Sequence, residues 1–313
     1  KDNFSSFLHH PGNEKSISYN WIRVLFLDSR RDFWIGTKKG LNHLKHENGD
    51  FKFNRFYPSK IDSTTKESPS ILSIIEDNMG DMWIGTWGAG LCYFNREKGT
   101  FQYFTSNPSD PYAIKNNMVE ELGILENGMI LTATTEGICL FDPLKRRFYD
   151  KNTLPEFDDL LEIKAPVYSI GKGKSHTIWI GTARGLFAYN QAKNKIVYNG
   201  ELNQDVHGSV KYAVDQARSA YIDNTGILWT GIAKAGLGKY DPNENKFFNH
   251  RVTIKSSGKH RDYITGIKYL TKNDIWLGTS DDGLLKIDST GKVISRFIAG
   301  SKKSNLSSNM IRT

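Results

Sequence analysis

Short apolar runs separated by clusters of Asp, Asn and Gly occupy most of the chain. Ile22-Arg-Val-Leu-Phe-Leu27 and Ile71-Leu-Ser-Ile-Ile75 are two such runs. Asp77-Asn-Met-Gly80 and Asp223-Asn-Thr-Gly226 are two of the breaks. Runs this short, rich in β-branched and aromatic residues, predict strands rather than helices. Asp, Asn and Gly tolerate positive φ or bond their own backbone, so the breaks predict tight hairpins. No apolar run approaches the ~18 residues that cross a membrane as a helix.

The pattern is periodic. Trp34-Ile-Gly-Thr37, Trp83-Ile-Gly-Thr86, Trp179-Ile-Gly-Thr182, Trp229-Thr-Gly-Ile232 and Trp276-Leu-Gly-Thr279 are one phrase, and Leu131-Thr-Ala-Thr134 stands where a sixth copy is due. Successive copies begin 47 to 50 residues apart. Each period predicts four strands: an apolar first strand, the Trp phrase, a third opened by Gly-Leu (as in Gly40-Leu41 and Gly90-Leu91), and an aromatic fourth such as Phe101-Gln-Tyr-Phe104. Four short antiparallel strands per repeat describe a propeller blade, which buries both faces only by stacking on its neighbours. The predicted fold is therefore an all-β β-propeller of six complete blades, at about 20–68, 69–116, 117–164, 165–215, 216–261 and 262–308. The repeated Trp is expected to fill the space between blades, and the Gly two residues on to admit their close approach.

The ends extend the pattern. Phe4-Ser-Ser-Phe7 through Trp21 aligns without a gap to Phe101-Gln-Tyr-Phe104 through Met118. Residues 1–19 are thus expected to supply the outer strand of a preceding blade, and 309–313 the start of a following one. Such a blade would make seven, in a chain cut from a longer protein.

The phrase Asp-x-x-Gly-x-x-Trp-Ile-Gly-Thr-x-x-Gly-Leu, followed by Tyr/Phe-Asp/Asn, resembles the two-component regulator propeller repeat. It is clearest at Asp77 to Asn95 and at Asp223 to Asp241, and Ser304-Asn-Leu-Ser-Ser-Asn-Met-Ile311 resembles that family's inter-blade phrase. The chain departs from it at Leu131-Thr-Ala-Thr134 and in the Gly171-Lys-Gly-Lys-Ser-His176 turn. The resemblance implies the periplasmic sensor region of a hybrid two-component system, an inner-membrane protein. Its partners would be adjacent propeller and β-sandwich domains of the same chain, and the full sensor would be a homodimer. It also implies an oligosaccharide ligand that controls glycan-utilisation genes, with the histidine kinase chemistry elsewhere in the parent protein.

Composition adds a cationic bias. The formal charge is +8, but Lys and Arg are scattered and form no stripe interleaved with aromatics, so no nucleic acid is expected in this region. The two cysteines, Cys92 and Cys139, hold equivalent places in adjacent repeats and are expected to be buried, unbridged thiols. No Gly-x-Ser-x-Gly, P-loop, dinucleotide fingerprint or His-Glu-x-x-His occurs. His43 and His46, three apart on a strand, face opposite sides. No catalytic residue, metal site or cofactor is therefore expected.

Two of the seven Trp are not explained by the repeat: Trp21 and Trp87. Both fall in loops expected to emerge at one face of the propeller, and loops on a rigid scaffold are where binding concentrates. The candidate ligand-binding set is Trp21, Lys39, Trp87, Arg184, Arg218, Lys234 and Tyr263, with Lys38 beside them. Aromatic faces stack on sugars and Arg forks pair with carboxylate or sulfate, so an oligosaccharide, an acidic one preferred, is the expected ligand. Two alternatives stay open: a protein-interaction scaffold, and a propeller polysaccharide lyase or glycosidase, for which Asp281-Asp282 with Tyr263 is the candidate cluster.

Overall fold

The computed structural model describes residues 6–47, 50–58, 69–199, 216–233, 236–241, 246–250, 264–271, 274–288, 290–301, 306 and 308–311. Within them lie six four-stranded antiparallel sheets, each built from strands consecutive in sequence. Blade 1 comprises Ile22–Leu27, Phe33–Thr37, Gly40–Glu47 and Asp50–Phe56. Blade 2 comprises Ser70–Glu76, Met82–Trp87, Leu91–Asn95 and Thr100–Phe104, and blade 3 Val119–Ile124, Ile130–Thr134, Gly137–Asp142 and Arg147–Tyr149. Blade 4 holds Val167–Lys172, Thr177–Thr182, Gly185–Asn190 and Lys195–Asn199. Blade 5 holds Ala217–Ile222, Leu228–Ile232, Gly236–Asp241 and Lys246–His250; blade 6 holds Ile264–Thr271, Asp274–Thr279, Leu284–Ile287 and Val293–Phe297. The fold is the expected six-bladed, all-β propeller. Blades 1 to 3 form one compact unit, Phe7–Val167, and the remainder of blades 4 to 6 a second, Tyr168–Thr313.

The repeat's recurring residues each have a structural task. In blade 2 the Asp77 carboxylate accepts the backbone N–H groups of Met79 and Asp81, both at 2.9 Å, and the Trp83 indole Nε1–H at 2.8 Å. One side chain thus closes the hairpin and satisfies a buried indole. Asp28 with Trp34 and Asp223 with Trp229 repeat the arrangement at 3.0 Å. Blade 3 has lost both partners together, and buried Leu125 and Leu131 stand in their places. Blade 6 keeps Trp276, but Leu270 occupies the Asp position, and the Trp276 Nε1 is buried without a partner among the described residues.

Trp34, Trp83, Trp179 and Trp229 pack toward the next blade. Trp34 clusters with Ile71, Ile74, Met82, Ile84 and Phe94 of blade 2, and Trp83 with Val119, Leu122, Ile130 and Phe141 of blade 3. In the second unit Trp179 meets Ala217 and Leu228, and Trp229 meets Ile264, Ile267 and Ile275. The glycine of the phrase lets the next first strand come close. At Gly231 an added Cβ would stand 2.6 Å from the Ile264 carbonyl oxygen and 2.5 Å from Ser219 Oγ, which no real Cβ tolerates. Ile311 packs in the same way on Gly278 of blade 6, as the first residue of a strand would.

The connectors between blades also follow one plan. Asn20 Oδ1 accepts the His9 amide, Asn117 Oδ1 the Ser106 amide and Asn309 Oδ1 the Ala299 amide, at 2.6 to 2.7 Å. The inter-blade Asn therefore ties the start of one blade to the chain leaving the previous outer strand. This bond confirms the gapless equivalence of 9–20 with 106–117. Most of Phe4-Ser-Ser-Phe7 lies outside the described residues; from residue 6 to Asn20 the chain forms no strand and runs beside blade 1, where Arg55 Nε donates to the Ser16 carbonyl. One element was not anticipated: a helical turn over Pro155–Phe157 and Asp158–Leu161, which buries Leu160 and Leu161.

Candidate functional site

In blades 1 to 4 and 6 the loop after the second strand is held rigid by a threonine. Thr37, Thr86, Thr134, Thr182 and Thr279 each donate Oγ1–H to the carbonyl of the glycine that opens or precedes the third strand. Each also accepts an amide from the loop: Lys39, Ala89, Glu136, Arg184 and Asp282 respectively. In blade 2, Gly90 has φ +69°, and a Cβ there would collide with the Phe104 carbonyl oxygen. These loops present their side chains from a fixed backbone.

In the first unit, Trp21 stands at the start of blade 1, 39% exposed, and its carbonyl accepts the Lys38 amide at 2.9 Å. Arg23 Cζ lies 4.6 Å and Lys38 Nζ 5.8 Å from the Trp21 ring centroid. Lys39 Nζ lies 5.1 Å from the Tyr19 ring. Two aromatic faces and three cations therefore share one end of blade 1. Trp87 is 50% exposed in the blade 2 loop, where it bridges in β fashion to Met118 at the start of blade 3. That pairing joins the two loop classes singled out by the sequence.

In the second unit, Arg184 is exposed beside Thr182. Arg218 is exposed too; its Cζ lies 4.1 Å above the Tyr168 ring, and its Nη2 donates to Gln216 Oε1 at 2.7 Å. Lys234 and Tyr263 lie outside the described residues. Counted back from the Trp phrase, Arg218 is not the blade 5 counterpart of Trp21. The residue matching Trp21 in blade 5 is Gln216, whose carbonyl accepts the Ala233 amide as Trp21 accepts Lys38, and not Arg218. Arg218 matches Arg23 instead.

The first strands of five blades share a β-bulge. The first strands skip Arg23 between Ile22 and Val24, Leu72 between Ile71 and Ser73, Glu120 between Val119 and Glu121, Arg218 between Ala217 and Ser219, and Thr265 between Ile264 and Gly266. A bulge adds a residue without a partner in the ladder and re-aims its side chain. Alternating hydrophobicity alone does not reveal it, so Arg23 was not among the expected site residues. Tyr168, second in its strand, was likewise not among the expected site residues.

Beside the blade 3 bulge, Glu121 accepts Ser73 Oγ–H at 2.8 Å and the Leu122 amide at 3.2 Å. Burial pushes its carboxyl up to about 7, with the neighbouring Glu120 charge adding to the rise and those two hydrogen bonds opposing it. Cys92 and Cys139 are buried free thiols, as expected, and burial raises both above the ordinary thiol range. His43 stacks on Trp34 at 4.3 Å and bonds Asp32, whereas His46 packs on Phe51, so the two rings diverge. Among the described residues no group of three or more His, Cys, Asp and Glu is placed to hold a metal ion, and no helix is long and apolar enough to cross a membrane.

The fold and repeat define a β-propeller. Residues 66–88 match the family described as Two component regulator propeller. A curated relative, histidine kinase P4 of Formosa agariphila, is 28% identical over 255 residues, a stretch covering 78% of this chain and 17% of the relative. Among solved structures, the extracellular domain of a hybrid two-component system from B. thetaiotaomicron superposes with a TM-score of 0.71 at 22% identity, over 98% of this chain and 39% of that one. Virginiamycin B lyase of Staphylococcus aureus, in complex with quinupristin, is similar at TM-score 0.57 and 12% identity, over 84% and 80%. The chain thus spans well under half the length of the two sensor proteins it matches.

Proposed function

We propose that this chain is the ligand-sensing propeller of a hybrid two-component system, standing in the periplasm, and that its ligand is an oligosaccharide whose arrival switches glycan-utilisation genes. The observation that carries this reading is the pair of half-exposed tryptophans, Trp21 and Trp87, held on backbone pinned by Thr37, Thr86 and Gly90. Large exposed indoles on a rigid scaffold suit the faces of sugar rings, and the cations beside Trp21 suit acidic groups upon them. Catalysis would reside in kinase modules outside this region, and the propeller would act with neighbouring domains of its parent chain, as a homodimer. The likeness to the relatives named above supports this role without identifying the sugar.

A thermal-shift screen of the 313-residue chain against neutral and acidic oligosaccharides tests it. A ligand at 100 times its Kd stabilises by about 2.7 kcal/mol, and the shift is expected to shrink in Trp87→Ala. A stabilising sugar that acts equally on the wild type and on a Trp21→Ala, Trp87→Ala double variant would move the site elsewhere. A folded chain that no sugar stabilises would favour the scaffold alternative.

A further inference from the structure

We infer that Asn116 and Glu136 of blade 3 read two neighbouring hydroxyls on the neutral part of the sugar that Trp87 receives. This rests on the sensor reading above and adds to it the residues that select among sugars at the Trp87 end. Trp87, Asn116 and Glu136 all belong to the first compact unit.

Backbone hydrogen bonds hold the three together. Trp87 bridges in β fashion to Met118, the Met118 amide donates to Asn116 Oδ1 at 2.7 Å, and Asn116 Nδ2 donates to Glu136 Oε1 at 2.8 Å. The loop that bears Trp87 is tied to the same connector, since the Gly88 and Gly90 amides both donate to the Asn117 carbonyl, at 3.0 and 2.9 Å. Glu136 in turn sits on the loop pinned by Thr134, whose Oγ1 accepts its amide at 3.1 Å. The indole and the amide–carboxylate pair are therefore mounted on one hydrogen-bonded piece of backbone at the junction of blades 2 and 3.

The repeat explains where the two side chains stand but not what they are. Asn116 and Glu136 occupy the places that Tyr19 and Lys39 hold in blade 1. There Lys39 Nζ lies 5.1 Å over the Tyr19 ring, whereas here an amide bonds a carboxylate. Their neighbours Asn117 and Thr134 repeat unchanged as Asn20 and Thr37. A pair that the fold keeps together while its chemistry changes between blades serves recognition, and the constant residues beside it serve the frame.

The groups left on the blade 3 pair have a definite pattern. Asn116 Oδ1 is taken by Met118, so the amide is oriented, and its second Nδ2 hydrogen has no acceptor among the described residues. Glu136 is exposed, and its Oε2 has no partner among the described residues. A donor beside carboxylate acceptors complements neighbouring sugar hydroxyls, one accepting from Asn116 and the other donating to Glu136. The Glu136 charge repels an anionic substituent at this point, while the cations beside Trp21 attract one. The ligand class is thus a mixed oligosaccharide whose neutral, diol-bearing residue lies on Trp87.

Calorimetric titration of the whole chain with an oligosaccharide alternating uronic acid and neutral hexose, and with its counterpart lacking one of the two neighbouring hydroxyls on each hexose, tests the assignment. The wild type is expected to bind the first about tenfold more tightly, the effect of one hydrogen bond to a charged acceptor. Glu136→Ala is expected to weaken binding of the first about tenfold and to leave the deoxygenated chain unchanged, so that the two probes bind alike. Glu136→Gln, which keeps one acceptor oxygen, is expected to fall between. Melting temperatures measured alongside separate these effects from damage to the fold. Equal wild-type affinity for the two probes, or a Glu136→Ala variant that discriminates between them as the wild type does, would overturn the inference while leaving oligosaccharide sensing intact. Binding of neither probe by the folded chain would overturn both the inference and the acidic-oligosaccharide reading beneath it.

Discussion

Removing the Asp77 carboxylate strands three donors at once: the Met79 and Asp81 amides and the buried Trp83 indole. Asp77→Ala is expected to cost about 2–4 kcal/mol, since each donor left without its acceptor loses part of its desolvation compensation, and a urea midpoint measures it. An unchanged midpoint would mean that water satisfies these groups. The Asp and Trp of the phrase were legible in the sequence because they recur together in blades 1, 2 and 5, where the Asp–Trp bond forms. Glu121 carries a second residue-scale prediction. Its carboxyl is raised from 4.5 to about 7 by burial, so the folded chain holds this proton more tightly than the unfolded one. Its contribution is fully present below pH 4.5, shrinks as pH rises and is lost above about 7. Relative to Glu121→Gln, the wild type is expected to lose on the order of 2–3 kcal/mol across that window. Parallel pH profiles of the two proteins would argue against a buried Glu121.

At the scale of the element, strands were readable wherever short apolar runs met breaks of Asp, Asn and Gly, and the recurring Trp phrase gave the six blades. Bulges were not, because one skipped residue merely shifts the alternation. The turn at Pro155–Leu161 did carry a signal: a proline at its start followed by Glu156, Asp158 and Asp159, which suits a helix N-terminus. It was masked by the expectation of one more strand-rich repeat. The first strands also differ in what covers them. Ile74, Leu122 and Ile267 are buried beneath the Trp of the preceding blade, while their counterpart Leu25 is 55% exposed and Leu27 57%. Ile74→Ala is accordingly expected to cost about 2–4 kcal/mol, and Leu25→Ala less than about 1 kcal/mol. Comparable losses, read from denaturant curves, would show that Leu25 is covered in solution.

For the molecule as a whole, the propeller architecture followed from the repeat, but the candidate site residues followed only in part. Trp21, Lys39, Trp87, Arg184 and Arg218 could be singled out because the repeat leaves them unexplained. Arg23, Tyr19 and Tyr168 could not, since their role depends on stacking across strands and blades that no spacing in sequence encodes. The Asp–Trp pairs, threonine-pinned loops and connector asparagines supply a rigid frame on which the variable loop residues are mounted. The measurement to make first is a direct titration of the purified chain with purified oligosaccharides, followed by intrinsic tryptophan fluorescence. Saturable quenching or enhancement, abolished in Trp87→Phe and absent with simple salts of the same charge, is the result expected of an oligosaccharide sensor. A fluorescence signal that no sugar alters, in a protein whose melting temperature shows it folded, would contradict it.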